Sequence, residues 1–147
     1  MAVKLIPDGY HAVTPYLAIK GAAQLIDFLK ATFDAKEVEI MKRPDGSIHH
    51  AEVKIGDSII MIGERGDSGP STPGMLYIYV ADCDATYKRA LAAGATSLMA
   101  PADQFYGDRN AGVRDATGSS WWISQHLEDV SPEEMKRRAA ESYVKQK

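Results

Sequence analysis

The sequence predicts an α+β fold built from two tandem modules, each with the element order β-α-β-β-β. The main observation is that the chain repeats itself at a constant offset of 61 residues. Residues 16–19 (YLAI) return as residues 77–80 (YIYV), and the helical stretch 21–33 returns as 82–94. In both copies, segments in which apolar residues alternate flank a segment in which they recur at helical spacing. This pattern is typical of strands that surround one helix.

The composition is that of an ordinary compact domain. The chain has 147 residues, of which 45% are hydrophobic, and we expect residues 1–147 to form a single domain. A net charge of -3 with scattered lysines and arginines argues against nucleic acid as a partner. No run approaches the roughly 18 apolar residues of a membrane helix, and the N-terminus lacks the apolar region of a secretory signal. With one cysteine, Cys83, and therefore no intramolecular disulfide, the chain is expected in the cytoplasm, away from membranes.

The first module is predicted to span about residues 10–64. Leu25, Leu29 and Phe33 recur at helical spacing after the first strand. Turn sequences around Gly46 and Gly56 separate the later strands. The predicted elements are a strand at 12–19, a helix at 21–33, and strands at 38–42, 47–55 and 58–63.

A connector rich in Gly, Pro and Ser, residues 65–74, marks the module boundary. The second module is predicted at about residues 74–126, and a helix follows at about 132–143. Ser131 offers an N-cap for this helix, Pro132 a first-turn proline, and Glu134 a side chain that reaches back to the cap. The elements of the second module are a strand at 75–80, a helix at 82–93, and strands at 96–99, 112–115 and 119–126.

Several local strings, taken in order, carry a resemblance to a known group of proteins. They are residues 14–17 (TPYL), 50–52 (HAE), 76–82 (LYIYVAD), 103–109 (DQFYGDR) and 126–134 (HLEDVSPEE). In order and spacing they resemble the vicinal oxygen chelate superfamily, which contains glyoxalase I, extradiol dioxygenases and bleomycin resistance proteins, and in particular its PhnB-like branch. The resemblance implies modules that curl into a barrel-like mixed sheet around a cavity. It also implies a homodimer.

The resemblance also implies where a metal would be held. In metal-dependent members, His or Glu residues on the first and last strands of each module bind a divalent metal. Laid onto this chain, those positions are Thr14, Met61, Met75 and Trp122, two pairs that are each separated by the repeat offset. None of these side chains is a good ligand for Zn, Ni, Fe or Mn. We therefore expect no metal and no other cofactor.

The same positions define the face of the strands that lines the cavity, because alternate residues of a strand share a face. The opposite face, with Leu17, Ile62 and Ile123, is uniformly apolar and is predicted to pack under the helices. The inner face mixes aromatic, methionine and hydroxyl side chains, the lining of an apolar ligand pocket. Phe105 and Tyr106 are predicted on a loop at its rim. The candidate ligand-binding residues are Tyr16, His50, Met61, Met75, Tyr77, Phe105, Tyr106, Arg109 and Trp122.

Two features of the inner face have two interpretations each. His50 and Glu52 point the same way from one strand, and they form either a catalytic acid/base pair or a structural contact. Trp122 either stacks on a planar ligand or fills the space of a lost metal site.

Arg109 also has two interpretations. A guanidinium at the rim can clamp a carboxylate or phosphate of a ligand through two hydrogen bonds. Alternatively, Arg109 forms a structural ion pair with Asp103, Asp108 or Asp115.

These observations favour a metal-independent protein that binds a small planar or aromatic molecule in one or two cavities. The alternative is a metal-dependent lyase, isomerase or dioxygenase with a displaced site, which needs a ligand beyond His50 and Glu52. A third possibility is an interaction module with a vestigial pocket. The sequence leaves open whether the modules pair within one chain or by exchange across a homodimer.

Overall fold

The computed structural model describes residues 2–146. Within it the chain divides into two compact units. The first unit comprises the residues up to Gly74 together with Asp115–Ser119, and the second comprises Met75–Arg114 and the residues from Ser120 onward. The single domain expected for residues 1–147 stays a prediction, and its end residues Met1 and Lys147 lie outside the described part.

The first unit contains one helix and a four-stranded mixed sheet. Its elements are β1 (Tyr16–Ile19), α1 (Ala22–Phe33), β2 (Lys36–Lys42), β3 (Ile48–Ile55) and β4 (Ser58–Glu64). The strand order is β1-β4-β3-β2, in which β1 runs parallel to β4 and the other neighbours are antiparallel. The apolar side of α1 is buried, with Leu25, Ile26 and Leu29 at most 3% exposed.

The second unit repeats this arrangement and adds a helix. Its elements are β5 (Met75–Tyr79), α2 (Cys83–Ala92), β6 (Thr96–Asp103), β7 (Asp108–Arg114), β8 (Ser120–His126) and α3 (Pro132–Lys145). The strand order is β5-β8-β7-β6, again with one parallel pair, β5 and β8. The predicted α+β class, the tandem β-α-β-β-β modules and the C-terminal helix are confirmed, and the strands form two separate four-stranded sheets.

The strand registers preserve the sequence repeat. Tyr16 pairs with Met61 across β1 and β4, and Tyr77 pairs with Trp122 across β5 and β8. Each residue of the second pair lies one repeat offset after its counterpart in the first. The offset read from the sequence therefore identifies structurally equivalent positions in the two units.

Burial agrees with the predicted packed and inner faces at several positions of β1, β4, β5 and β8, although the inner-face residues Ile59 and Ser124 are also buried. Ile62 and Ile123 on the packed face are fully buried. On the inner face, Tyr16, Tyr77 and Met75 are among the exposed large apolar residues. A one-residue shift in register would exchange these two sets.

Element bounds differ from the prediction by four residues in β1, β6 and β7, and β1 begins at Tyr16 rather than at residue 12. The sequence predicts β6 at 96–99, but the strand continues to Asp103 through Pro101. Proline is tolerated there because β6 is an edge strand whose pairing with β7 is irregular between Met99 and Ala102. The strand β7 begins at Asp108 rather than near residue 112, so Asp108 and Arg109 lie in a strand and not in the predicted loop.

The C-terminal helix α3 begins as predicted. The Ser131 hydroxyl accepts a hydrogen bond from the backbone N–H of Glu134, and Pro132 occupies the first turn. The Glu134 carboxylate, however, pairs with Arg137 and Arg138 of the same helix. Among residues 2–146, no helix is long and apolar enough to cross a membrane.

Candidate ligand-binding site

A cavity of about 430 Å³ lies within the second unit. We call it the second-unit cavity. Three aromatic and two methionine side chains dominate its lining, and Gln104 and Asn110 add amide groups. Its lining residues are Met75, Leu76, Tyr77, Met99, Gln104, Tyr106, Asn110 and Trp122.

The position of Trp122 depends on a glycine in the neighbouring strand. Gly112 of β7 faces Trp122 of β8 in the strand pairing. A Cβ atom at Gly112 would lie only 2.6 Å from Cζ3 of the indole, far inside van der Waals contact. The missing side chain therefore allows the indole to lie across β7, and Trp122 lines the cavity.

A network of polar groups holds two of the cavity's aromatic residues, Tyr77 and Tyr106. The Tyr77 hydroxyl donates a hydrogen bond to Oδ2 of Asp108 at 2.9 Å and lies 2.7 Å from Oγ of Ser124. The Asn110 amide group donates to the hydroxyls of Tyr77, at 3.2 Å, and Tyr106, at 2.6 Å. Asp108 and Asn110 are 5% and 3% exposed. These bonds fix the orientation of both phenol rings.

Asp108 is also held from outside the cavity by a histidine. His126 contacts Asp108 through Nδ1 and Asp129 through Nε2, both at 2.8 Å. These two hydrogen bonds raise the pKa of His126 above its usual range, against a smaller opposing effect of burial. Burial by itself would raise the pKa of Asp108, but hydrogen bonds from His126, Tyr77 and Ser124 together outweigh it and lower the pKa. The Asp108 carboxylate is therefore stabilised in its charged form.

The pKa of Tyr77 is strongly displaced. Burial raises the pKa of this phenol to about 12, and the hydrogen bond to Asp108 acts in the same direction. The hydrogen bonds with Ser124 and Asn110 act in the opposite direction and are outweighed. Tyr77 is thus a neutral hydrogen-bonding group at physiological pH, and not a general base.

The first unit has a different cavity, of about 450 Å³. Part of its lining comes from the segment that precedes β1, and the Tyr10 hydroxyl of that segment donates a hydrogen bond to Glu52 at 2.7 Å. Met61 and Thr14 are equivalent by the repeat to Trp122 and Met75. The lining residues are Leu5, Ile6, Pro7, Tyr10, His11, Ala12, Thr14, Glu52 and Met61.

The structure does not bring His50 and Glu52 together as an acid/base pair. Glu52 is 5% exposed and accepts its hydrogen bond from Tyr10. Nδ1 of His50 lies 3.4 Å from the hydroxyl of Tyr16, and the two rings are tilted with centroids 5.7 Å apart. Tyr16 and His50 therefore form an exposed pair that lines neither the first-unit nor the second-unit cavity.

The two remaining predicted residues, Phe105 and Arg109, also lie outside the lining of the second-unit cavity. Phe105 packs edge-on against Tyr106, with centroids 5.3 Å apart. Arg109 is bound by Asp84, 3.0 Å from Nε, and by Asp103, 3.0 Å from Nη1. Asp103 was among the predicted partners of Arg109, whereas Asp84 of helix α2 was not. The guanidinium is thus already neutralised by two carboxylates.

The four positions at which the fold would hold a metal do not fit that role. Thr14 and Met61 lie in the first-unit cavity, and Met75 and Trp122 lie in the second-unit cavity. Within residues 2–146, no group of three or more His, Cys, Asp or Glu side chains is arranged to hold a metal ion. Methionine and tryptophan offer no donor that a borderline divalent metal prefers.

The polar residues in and behind the second-unit cavity were missed by the sequence analysis. Asp108, Asn110 and His126 belong to common residue types, and β7 has no strong apolar alternation that would reveal its full length. In the strand pairing, Asn110 lies opposite Ser124 as His50 lies opposite Gly63. Asn110 follows His50 by 60 residues and not by 61, so the repeat offset alone would have equated Asn110 with His49 on the packed face.

Residues 10–123 match the model of the Glyoxalase/Bleomycin resistance protein/Dioxygenase superfamily, and the chain belongs to this superfamily. The predicted superfamily is therefore confirmed, and the PhnB-like branch stays a prediction. Uncharacterized proteins of Mycobacterium bovis and Mycobacterium tuberculosis are both 34% identical to this chain over 146 residues. The match covers 92% of this chain and 93% and 84% of those two proteins, respectively.

Solved structures show the same fold. TioX from Micromonospora sp. ML1 has a TM-score of 0.68 and 27% identity, over 80% of this chain and 99% of that chain. A glyoxalase/bleomycin resistance protein/dioxygenase family enzyme from Burkholderia phytofirmans has a TM-score of 0.63 and 21% identity, over 78% and 96% of the two chains. At 21% identity, the similarity to the Burkholderia phytofirmans protein concerns the fold alone.

Proposed function

We propose that this protein binds a small planar or aromatic molecule in the second-unit cavity, without the help of a metal. The observation that carries the proposal is the lining: Tyr77, Tyr106 and Trp122 surround a volume of about 430 Å³. Binding sites for small molecules commonly have about 300 to 1,000 Å³ of volume, mostly apolar walls and a few placed polar groups.

The chemistry of the lining favours a flat ligand. Aromatic rings interact with other rings in offset-stacked or edge-to-face geometry, which adds about 0.5 to 1.5 kcal/mol to the burial of apolar surface. Met75 and Met99 are unbranched and polarisable, so they adapt to ligands of different outline. The hydrogen bonds of Asn110 hold Tyr77 and Tyr106 in place before any ligand arrives, which lowers the entropic cost of binding.

Metal-independent binding is supported by the residues at the superfamily's usual ligand positions. Thioether and indole side chains replace the expected His and Glu residues in the second unit. They contribute apolar surface at the place where a metal would otherwise be exposed to the ligand. The substitution thus exchanges a coordination site for an aromatic binding surface.

A homodimer is part of the proposal. Met75, Tyr77 and Tyr79 lie on one face of the edge strand β5 and are 72%, 43% and 66% exposed. A row of exposed apolar side chains on an edge strand favours association with another chain. Sedimentation velocity should give the mass of a dimer, and a Tyr79→Lys variant should sediment as a monomer; a monomeric wild-type protein would contradict this part of the proposal.

Binding itself is tested with protein dialysed against EDTA. We expect bicyclic aromatic molecules, with naphthalene as the simplest, to bind and change the tryptophan fluorescence. Trp122→Phe should abolish most of the fluorescence change, whereas Met61→Leu, the matched change at the equivalent position of the first unit, should preserve it. Binding that requires added Zn²⁺ or Mn²⁺, or that depends on Met61 and not on Trp122, would contradict the proposal.

A further inference from the structure

Two buried polar atoms of the second-unit cavity have no hydrogen-bond partner within residues 2–146. They are Oδ1 of Asn110 and Nε1 of Trp122, and both side chains line the cavity. A buried polar atom without a partner destabilises a protein, which is why such atoms are rare. Two of them in one small cavity, one an acceptor and the other a donor, form a complementary pair of binding groups.

The hydrogen-bond network determines which atom of the Asn110 amide has no partner. The Asp108 carboxylate can only accept hydrogen bonds, so the Tyr77 hydroxyl must donate to it. The Tyr77 oxygen then needs a donor, and the amide NH₂ of Asn110 supplies it. Because the NH₂ group is held by Tyr77 and Tyr106, the carbonyl oxygen Oδ1 remains as an acceptor.

The Trp122 indole can only donate a hydrogen bond. Its ring is confined by the backbone of Gly112, so it cannot turn freely to find another acceptor. An acceptor atom on a ligand would supply the missing partner. A ligand that pairs with both protein atoms must therefore carry one hydrogen-bond donor and one hydrogen-bond acceptor.

The charges around the cavity further restrict the chemical class of the ligand. Among the described residues, no Lys, Arg or His lines the cavity, and Arg109, the neighbour of Asn110 in β7, is held by Asp84 and Asp103. The Asp108 carboxylate lies directly behind Tyr77. An anionic ligand would therefore enter an environment that offers it no counter-charge, so a neutral molecule is favoured.

Access to both atoms requires a small movement, since neighbouring side chains cover them. Met75 also lines the cavity and can adjust to a ligand. It is 72% exposed and has three rotatable bonds.

Building on the proposed function, we propose that the ligand is a neutral planar aromatic molecule with both an N–H or O–H donor and a carbonyl or ring-nitrogen acceptor. Its donor bonds Oδ1 of Asn110 and its acceptor bonds Nε1 of Trp122. Aromatic lactams and heteroaromatic amides have this combination. A purely hydrocarbon ring fits the same space but leaves both protein atoms unpaired.

Three probes of nearly equal size separate the two hydrogen bonds. 1-Isoquinolinone carries a donor and an acceptor, isoquinoline an acceptor only, and naphthalene neither. Dissociation constants are measured by calorimetry or fluorescence at pH 8, where isoquinoline is uncharged. We expect each hydrogen-bonding group to tighten binding about threefold to tenfold, an order opposite to the hydrophobicity of the probes.

Two variants test which residue accounts for each gain in affinity. Trp122→Phe should bring isoquinoline within twofold of naphthalene, and Asn110→Leu should bring 1-isoquinolinone within twofold of isoquinoline. The order of the three probes on the wild-type protein tests the proposal even if Asn110→Leu fails to fold. Equal affinities on the wild-type protein would overturn the proposed ligand class while leaving aromatic binding intact. No binding by any probe would overturn both proposals.

Discussion

The indole of Trp122 lies directly over Gly112, and a methyl group at Gly112 would meet Cζ3 of the ring at 2.6 Å. Tyr16 and Gly63 form a similar pair in the first unit, where a methyl group at Gly63 would meet the Tyr16 hydroxyl at 2.5 Å. The consequences differ, because Tyr16 is an exposed side chain with a hydroxyl at its far end. Tyr16 can swing outward, whereas the contact at Gly112 involves the body of the indole.

Gly112→Ala should therefore displace Trp122 and lower stability. The added methyl group forces either the ring or the strand to move, and overpacking of this kind typically costs about 1 to 3 kcal/mol. We expect the free energy of unfolding in urea to fall by that amount and the affinity for naphthalene to fall with it.

Gly69→Ala is the control for this change. Gly69 has open space where a Cβ would lie, so the same substitution should leave stability and binding near the wild-type values. A Gly112→Ala variant with unchanged stability and an unchanged Trp122 indole resonance would contradict the contact.

Tyr77→Phe should remove a pH-dependent part of the stability. Burial raises the pKa of Tyr77 to about 12 in the folded protein, whereas an unperturbed tyrosine has a pKa of about 10. The unfolded chain thus loses this proton first as the pH rises. The stabilisation is fully present below about pH 10 and is lost between about pH 10 and 12.

The measurement is the free energy of unfolding of the wild type and Tyr77→Phe from pH 8 to 11. Their difference should shrink as the pH rises above about 10. Tyr143→Phe removes a hydroxyl from an exposed residue of α3 and serves as the control. A difference that stays constant or grows with pH would contradict the raised pKa of Tyr77.

His126 should titrate above its ordinary pKa of about 6.5. Hydrogen bonds to Asp108 and then Asp129 raise its pKa, so its stabilising effect is present below about pH 6.5 and is lost as the pH rises through the folded-state pKa. The pKa of Asp108 is lowered, so its contribution is present above about pH 4 and is lost on acidification. The contributions of His126 and Asp108 to stability are therefore both present between about pH 4 and 6.5.

NMR titration of the imidazole C–H resonances tests this directly. The resonance that disappears in His126→Gln should have a midpoint above about 6.5 in the wild type. In Asp129→Asn, the midpoint should move downward but stay raised, because the bond to Asp108 remains. A wild-type midpoint at or below about 6.5 would show that the Asp108–His126–Asp129 chain does not form in solution.

Arg109→Gln should leave aromatic binding intact. The guanidinium is committed to Asp84 and Asp103 and does not line the second-unit cavity. We expect the affinity for naphthalene to change less than twofold, and 1-naphthoate, its carboxylate counterpart, to bind more weakly than naphthalene to both proteins. Selective loss of 1-naphthoate binding in Arg109→Gln would instead support the anion-clamp interpretation of this residue.

The sequence predicts the fold well because the fold depends on periodic apolar residues. The repeat offset relates Tyr16 to Tyr77 and Met61 to Trp122, and the strand registers pair these residues equivalently in the two units. The alternation in β8 correctly places Trp121 and Ile123 on the packed face, where both are fully buried. These features are encoded locally and redundantly, once in each module.

The polar part of the candidate site could not be predicted in the same way. Whether Asn110 holds Tyr77 and Tyr106 depends on how β7 pairs with β8, and the polar residues at the start of β7 give no periodic signal. Glu52 illustrates the same limit, since its partner Tyr10 precedes it by 42 residues along the chain. Partners at such separations are set by tertiary packing and not by local spacing.

The most direct test of metal-free aromatic binding is the indole N–H region of the NMR spectrum, because the chain has two tryptophans. Trp122 lines the cavity, whereas Trp121 is fully buried on the packed face and serves as an internal reference. Titration of EDTA-dialysed protein with 1-isoquinolinone should shift the Trp122 indole N–H downfield as it gains an acceptor and leave that of Trp121 in place. An unmoved Trp122 resonance at saturating probe, or a shift that appears only after a divalent metal is added, would contradict the account.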